Sequence, residues 1–191
     1  MGKYVSRACN EESYRKIVEL ARNGYISNGV YHRPNEQLAT ILVLEANLGC
    51  RIGDIVNLTT DSIIKDGDFW KLNIVEEKTG KKRCFIVPQE IKDFIDKWCD
   101  NEGIYQGKLF KIGKKCVWKH MKEITDYLEL KETGTHSLRK YRANEIYEKS
   151  GHDIEMVRAF LNHSSVLTSQ RYIRRSDAQL EKAISESVKI V

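Results

Sequence analysis

The stretch from Asn35 to Leu48 places the tightest limit on the fold. Leu38, Ile41, Leu42, Leu44 and Ala46 leave this segment apolar on most of its sides. A helix of that kind has to be surrounded by protein. It follows Pro34, stops at Gly49 and holds Glu45, and it is too short to span a bilayer. Other parts of the chain must therefore wrap it. With 191 residues there is enough chain for one domain with a sizeable core.

The wrapping elements can be read by period. Tyr14, Ile17, Val18 and Ala21 recur at helical spacing behind Asn10, a good N-cap, and Gly24 ends the run. A short helix is expected from Ile52 to Asn57. From Asp61 to Val87 the period changes. Trp70, Leu72 and Ile74 alternate with Lys71, Asn73 and Val75, the run Cys84–Val87 is β-rich, and Lys78-Thr79-Gly80-Lys81 makes a turn between the two. This predicts a small antiparallel sheet with a hairpin at 77–82 and a third strand near Ser62–Ile64. Pro88 then opens a helix through Ile91, Phe94, Ile95 and Trp98. Further helices are expected near 114–128, 136–149, 154–161, 166–173 and 177–189, the last behind a capping box of Ser176 and Gln179. The expected class is mostly α with a small antiparallel β-sheet (α+β). Residues 1–34 form a helical lead-in and residues 35–191 one domain.

Charge points to a polyanion through its distribution more than its sum. The net charge is +5 and the isoelectric point near 8.9. The stretch Ile104–Thr125 alone carries Lys108, Lys111, Lys114, Lys115, Lys119 and Lys122 against Glu123. Lys78, Lys81, Lys82 and Arg83 form a second focus, and Arg171, Arg174 and Arg175 a third. Such clusters suit a phosphate backbone, although solvated faces have the same composition. The five cysteines are odd in number and lack CxxC spacing, which fits reduced thiols in a cytosol-like compartment and not a disulfide framework or zinc site. No GxxxxGK[ST] loop and no carboxylate cluster is present, so neither ATP nor a metal is expected as cofactor.

A few residues stand out from the fold pattern. Arg51 follows the apolar Leu48-Gly49-Cys50 and needs a partner there; an ion pair with Asp54 or Glu45 is the plain reading. His136 and Arg139 are three apart and share a helix face, where they could grip a phosphate or merely meet solvent. Lys78 sits at the hairpin tip. His163 precedes Tyr172 by nine residues.

Taken in order, Arg51, Lys78, His136-x-x-Arg139, His163 and Tyr172 resemble the signature of the tyrosine recombinases of phage-integrase type. Leu48-Gly49-Cys50-Arg51-Ile52-Gly53-Asp54 is similar to the family's LGxRxxE/D segment. Lys78-Thr79-Gly80 resembles its hairpin lysine, His136-Ser137-Leu138-Arg139 its HxLR box and Leu161-Asn162-His163-Ser164-Ser165 its LGHSS box. Asn162 stands where the family usually has glycine, and Asp54 where it more often has glutamate. No separate core-binding domain is apparent ahead of the resemblance.

The resemblance implies a recombinase catalytic-domain fold and a role for each residue. Tyr172 is the nucleophile that forms a 3′-phosphotyrosyl bond. Arg51 and Arg139 neutralise the phosphate, His136 and His163 hydrogen-bond it, His136 helps to take the tyrosine proton, and Lys78 is the general acid. Lys81, Lys82, Arg83, Lys111, Lys114, Lys115, Lys119, Lys140 and Arg171 are candidate contacts to double-stranded DNA. A DNA-associated cytoplasmic protein is expected, with no membrane partner and a homo-oligomer, a tetramer, on DNA. The helix from Ala178 to Lys189 would dock on a neighbouring copy or on its own domain. Two other readings remain open: a relaxing enzyme of the type IB topoisomerase kind, and a non-enzymatic DNA-binding regulator.

Overall fold

The computed structural model describes residues 6–170 with 172 and 173. Helix α1 (Glu11–Asn23) is capped by Asn10, whose side chain accepts from the Ser13 amide, and ends at Gly24. A two-stranded ribbon follows, β1 (Tyr25–Ser27) paired antiparallel with β2 (Val30–His32). Sequence reasoning did not anticipate it. Its turn is Asn28-Gly29, both with positive φ, the pair that a two-residue hairpin turn demands.

Helix α2 (Glu36–Leu48) is the central element. Nine of its residues are buried, Leu38 to Leu42, Leu44 to Ala46 and Leu48, and α1 and the later helix Thr135–Lys149 pack along it. Gly49 ends it in the left-handed conformation, and the short α3 (Ile52–Val56) starts just beyond Arg51.

The sheet follows in the order β3 (Ile63–Asp66), β4 (Phe69–Val75), β5 (Lys82–Val87), all antiparallel. The register Ile63↔Leu72↔Phe85 brings three apolar side chains to one face, which packs on the core with Leu72 fully buried. The third strand thus begins one residue later than expected, and the hairpin lies where the alternation put it.

The remaining elements are helical: α4 (Gln89–Glu102), α5 (Lys114–Tyr127), α6 (Thr135–Lys149), α7 (Ile154–Leu161) and α8 (Val166–Gln170). Helix α8 stops short of residue 173, the limit expected. The expected helix 177–189 lies outside the described residues. One core runs from Cys9, just ahead of α1, to Leu138 in α6, and a smaller one joins Ala143, Val157 and Leu161. The lead-in helix α1 is thus built into the same core as α2. All five cysteines are free. Among the described residues no helix is long and apolar enough to cross a membrane.

Candidate active site

The C-terminus of α2 is where the site begins. A helix end leaves carbonyls without partners, and α2 has no basic residue in its last turn to meet them. Two distant arginines do so instead. Arg139 donates from Nη1 to Gly49 O at 2.7 Å, and Arg83 donates from Nη2 to Leu48 O at 3.0 Å. Positive charge at a helix C-terminus is also favoured by its dipole. Arg139 reaches a second helix end as well: Nη2 donates to Leu161 O at 2.8 Å, the last residue of α7. One guanidinium therefore ties α2, α6 and α7 together.

His163 completes the environment of Arg139. Its Nε2 lies 3.2 Å from Arg139 Nη2, and its Nδ1 3.0 Å from Ser169 Oγ. Arginine can only donate, so Nε2 accepts and Nδ1 carries the proton toward Ser169. Burial and the positive charges of Arg139 and Arg51 push the His163 pKa down to about 4. The ring is neutral at pH 7 and fixed in one tautomer. Tyr172, two residues past α8, stacks its ring edge-to-face on His163 with centroids 5.0 Å apart. The same ring faces the guanidinium of Arg139 at 5.8 Å and the ammonium of Lys140 at 5.6 Å. Arg139 is 0% exposed.

Arg51 approaches from the N-cap of α3. Its partner is neither Asp54 nor Glu45, as the plain reading had it, but Glu76: Nη1 donates to Oε2 at 2.6 Å. Glu76 sits at the base of the β4–β5 hairpin and also accepts from Thr79 Oγ1 at 2.7 Å and from Arg83 Nη1 at 3.4 Å. Burial opposes its charge, yet the Thr79 hydroxyl and the two guanidinia outweigh that and hold its pKa below the ordinary value. Asp54 has another task, accepting the Glu77 amide at 2.8 Å and so pinning the hairpin to α3. Glu45 is fully buried without a hydrogen-bond partner among the described residues, and burial pushes its pKa well up.

Lys78 is exposed in the turn between β4 and β5, and His136 lies in the first turn of α6. Partial desolvation of the His136 ring lowers its pKa, and the charges of Arg139, Arg51, Lys78 and Lys140 act in the same direction. Those four cations therefore share one neighbourhood. The departure at Asn162 has a local reason. It caps α7 with φ 54° and ψ 37°, a conformation that glycine adopts freely and asparagine tolerates. Its side chain donates to Lys82 O at 3.2 Å, joining α7 to the hairpin strand.

The structure thus gathers Arg51, Lys78, His136, Arg139, His163 and Tyr172 at one end of α2. The candidate DNA contacts divide. Lys81 and Lys82 are exposed on the hairpin, and Lys111, Lys115 and Lys119 on or just before α5. Lys114 is paired with Glu77 at 2.5 Å, and Lys140 donates to Ser6 O at 2.5 Å. Arg83 requires correction. It is 2% exposed and packed against both Phe85 and Phe160, so it supports α2 and cannot meet a phosphate backbone. Arg171, Arg174 and Arg175 lie outside the described residues. Sequence reasoning missed Glu76, whose isolated position in β4–β5 carries no signal of the two arginines it joins.

Residues 10–179 match the model of the phage integrase family. The tyrosine recombinase XerC of Caldanaerobacter subterraneus subsp. tengcongensis is 28% identical over 160 residues, which is 77% of this chain and 44% of that protein. The tyrosine recombinase XerA of Pyrococcus furiosus is 27% identical over 195 residues, 97% of this chain and 63% of that protein. The chain therefore spans about half the length of these curated relatives. Among solved structures, a post-cleavage complex of the XerH site-specific recombinase bound to palindromic difH substrate has the same fold. It superposes with a TM-score of 0.73 at 21% identity over 93% of this chain and 52% of that one.

Proposed function

The chain belongs to the phage integrase family, and on that premise we propose that it cleaves and rejoins double-stranded DNA through a covalent bond to Tyr172. The observation that carries this reading is the contact of Arg139 with four parts of the chain. The guanidinium holds the end of α2 and the end of α7, touches His163, and lies under the Tyr172 ring. Nucleophile, phosphate-binding cation and hydrogen-bonding histidine are brought within one side chain of each other by elements remote in sequence.

The chemistry follows from the groups present. A phosphodiester anion repels an oxygen nucleophile, and its charge grows in the transition state. Arg51 and Arg139 offset that charge, as preorganised donors do best away from bulk water. Tyr172 Oη attacks phosphorus, its proton passing to His136 or solvent, and a phosphotyrosyl ester forms as the bond to the 5′-oxygen breaks. Lys78 gives that oxygen its proton, and the turn it occupies has the freedom to approach. The reverse step uses a 5′-hydroxyl to displace Tyr172. One phosphoester replaces another, so no external energy source is needed.

With Arg139 wholly covered, phosphate entry requires the Tyr172 ring to shift off the guanidinium. The same movement frees the hydroxyl to swing toward phosphorus. We take the assembled state on DNA to be a homo-oligomer, a tetramer, in which strands pass between copies. A regulator without chemistry would have no use for a nucleophile seated on a phosphate-binding arginine.

The test is covalent capture from a randomised pool of nicked duplexes. The nick lets the short released piece that bears the 5′-hydroxyl diffuse away and so traps the ester. We expect an adduct that survives denaturing electrophoresis and disappears in Tyr172→Phe. A two-site exchange assay on the captured sequence then separates strand exchange from mere relaxation of supercoiled DNA.

A further inference from the structure

Helix α5 carries a half-exposed tryptophan among lysines. Trp118 is 49% exposed, while its neighbours Val117 and Met121 are buried in the core. Lys115, Trp118, Lys119 and Lys122 follow one another at spacings that put them on the same outer face of the helix. Lys115 has no ion-pair partner among the described residues. Beside Trp118 lies a cavity of about 360 Å³. Met121 and Trp118 give its lining an apolar part, Thr133 to Thr135 a polar one, and His136 lines it as well. His136 thus belongs both to this cavity and to the cationic site around Arg139.

We propose that this cavity seats a nucleobase of the DNA next to the cleaved phosphate, stacked on Trp118. The inference rests on the DNA-cleavage reading and extends it to a base-contacting residue. Three features select a nucleobase over other occupants. An aromatic face amid lysines is the combination that binds nucleic acid by stacking and backbone charge together. The cavity is concave and lined by hydroxyl-bearing Thr133 and Thr135 as well as by the aromatic side chain, which suits a flat heterocycle with polar edges. Its position is fixed by His136, so the base in question belongs to a nucleotide within reach of the reacting phosphorus. A base there is available for stacking when the step opens or when cleavage frees a strand end.

The experiment is a cycle between protein and DNA. Equilibrium binding to a captured duplex, or to the randomised pool itself, is measured in the non-trapping Tyr172→Phe background, with Trp118 intact and as Trp118→Ala, Trp118→Phe and Trp118→Leu. The duplex is then made abasic at one position at a time around the nick. Trp118→Ala should weaken binding to intact DNA by roughly 5- to 100-fold, the scale of one stacked base. That loss should vanish at a single abasic position, and Phe but not Leu should restore affinity. A loss equal at every abasic position, or one that Leu repairs, would overturn the proposal and assign Trp118 to packing. No loss at all would overturn it too and leave the face to a protein partner. Because binding is the readout, these outcomes are independent of covalent capture; a chain that binds with the Trp118 signature but forms no adduct defeats the cleavage reading and not this one.

Discussion

Glu76 and Glu45 are both buried carboxylates near cations, and they behave in opposite ways. Glu76 has Thr79, Arg51 and Arg83 around it and stays ionised, whereas Glu45 has no hydrogen-bond partner among the described residues and is driven toward its neutral form. Glu76→Ala should leave two guanidinia facing an empty site, with a cost of about 3–5 kcal/mol for a broken buried pair. Chemical denaturation should register that loss, and single-turnover cleavage should fall because Arg51 is no longer held. Arg51→Ala or Arg139→Ala should slow cleavage by roughly 10²-fold or more, the effect of losing one transition-state donor. A change of only a few-fold would restrict that arginine to packing. His163 gives a pH test. Its folded pKa of about 4 lies below the ordinary 6.5, so between those values the unfolded chain binds more protons. The contribution of neutral His163 to stability is complete above pH 6.5 and is lost as the pH falls toward 4. The stability difference between the intact chain and His163→Gln, followed by denaturant midpoints from pH 7.5 to 4.5, should shift against the intact chain on acidification. A constant difference would contradict the assigned burial. The proposed catalytic residues could be picked out because their order and spacing survive in one dimension. The partner of Arg51 was not, since Glu76 is 25 residues away and only folding chooses it over Asp54.

Among the elements, the junction of α2 and α7 positions the site most directly. Gly49 has φ +57°, and a Cβ there would lie 2.3 Å from Phe160 Cε1. Its carbonyl receives Arg139. Gly49→Ala should therefore combine a conformational penalty of about 1 kcal/mol or more with displacement of Phe160 from its place against Arg83. The expected result is a lowered melting temperature together with a loss of cleavage larger than the loss of folded protein. Unchanged cleavage per folded molecule would show that the junction does not set Arg139. The longer helices and the paired strands β4 and β5 were readable from period because each spans several turns or alternations. The ribbon β1–β2 was not, because three residues per strand are too few to establish a period, although Asn28-Gly29 was a usable turn signal. The burial of Arg83 was also within reach. In β5 it alternates with Phe85 and Val87, on the face that packs inward, while Lys82 shares the outer face with Cys84 and Ile86. Grouping it with the lysines by charge ignored the two-residue period of the strand.

Taken whole, the molecule offers a cationic surface built from separate segments. Lys78, Lys81, Lys82, Lys111 and Lys115 are exposed and have no acidic partner at ion-pair distance among the described residues. Each phosphate they neutralise should steepen the dependence of log affinity on log salt by about 0.9. Replacing any one of them with alanine should reduce that slope by about one unit, measured by titration between low and physiological salt. Arg83→Ala should leave the slope intact and lower stability instead. The family match and the shared fold bear on the chain as a domain, and the chain covers 44% and 63% of two relatives. The proposed covalent step draws on Arg51, Lys78, His136, Arg139, His163 and Tyr172, all of which lie within the matched residues 10–179. Mass spectrometry of the trapped DNA adduct tests it most directly. Trypsin releases Tyr172-Ile173-Arg174 as one peptide, and after nuclease trimming the expected result is that peptide carrying a 3′-phosphonucleotidyl group on the tyrosine. The same group on a peptide containing Tyr141 or Tyr147, or an adduct that persists in Tyr172→Phe, would contradict the assignment.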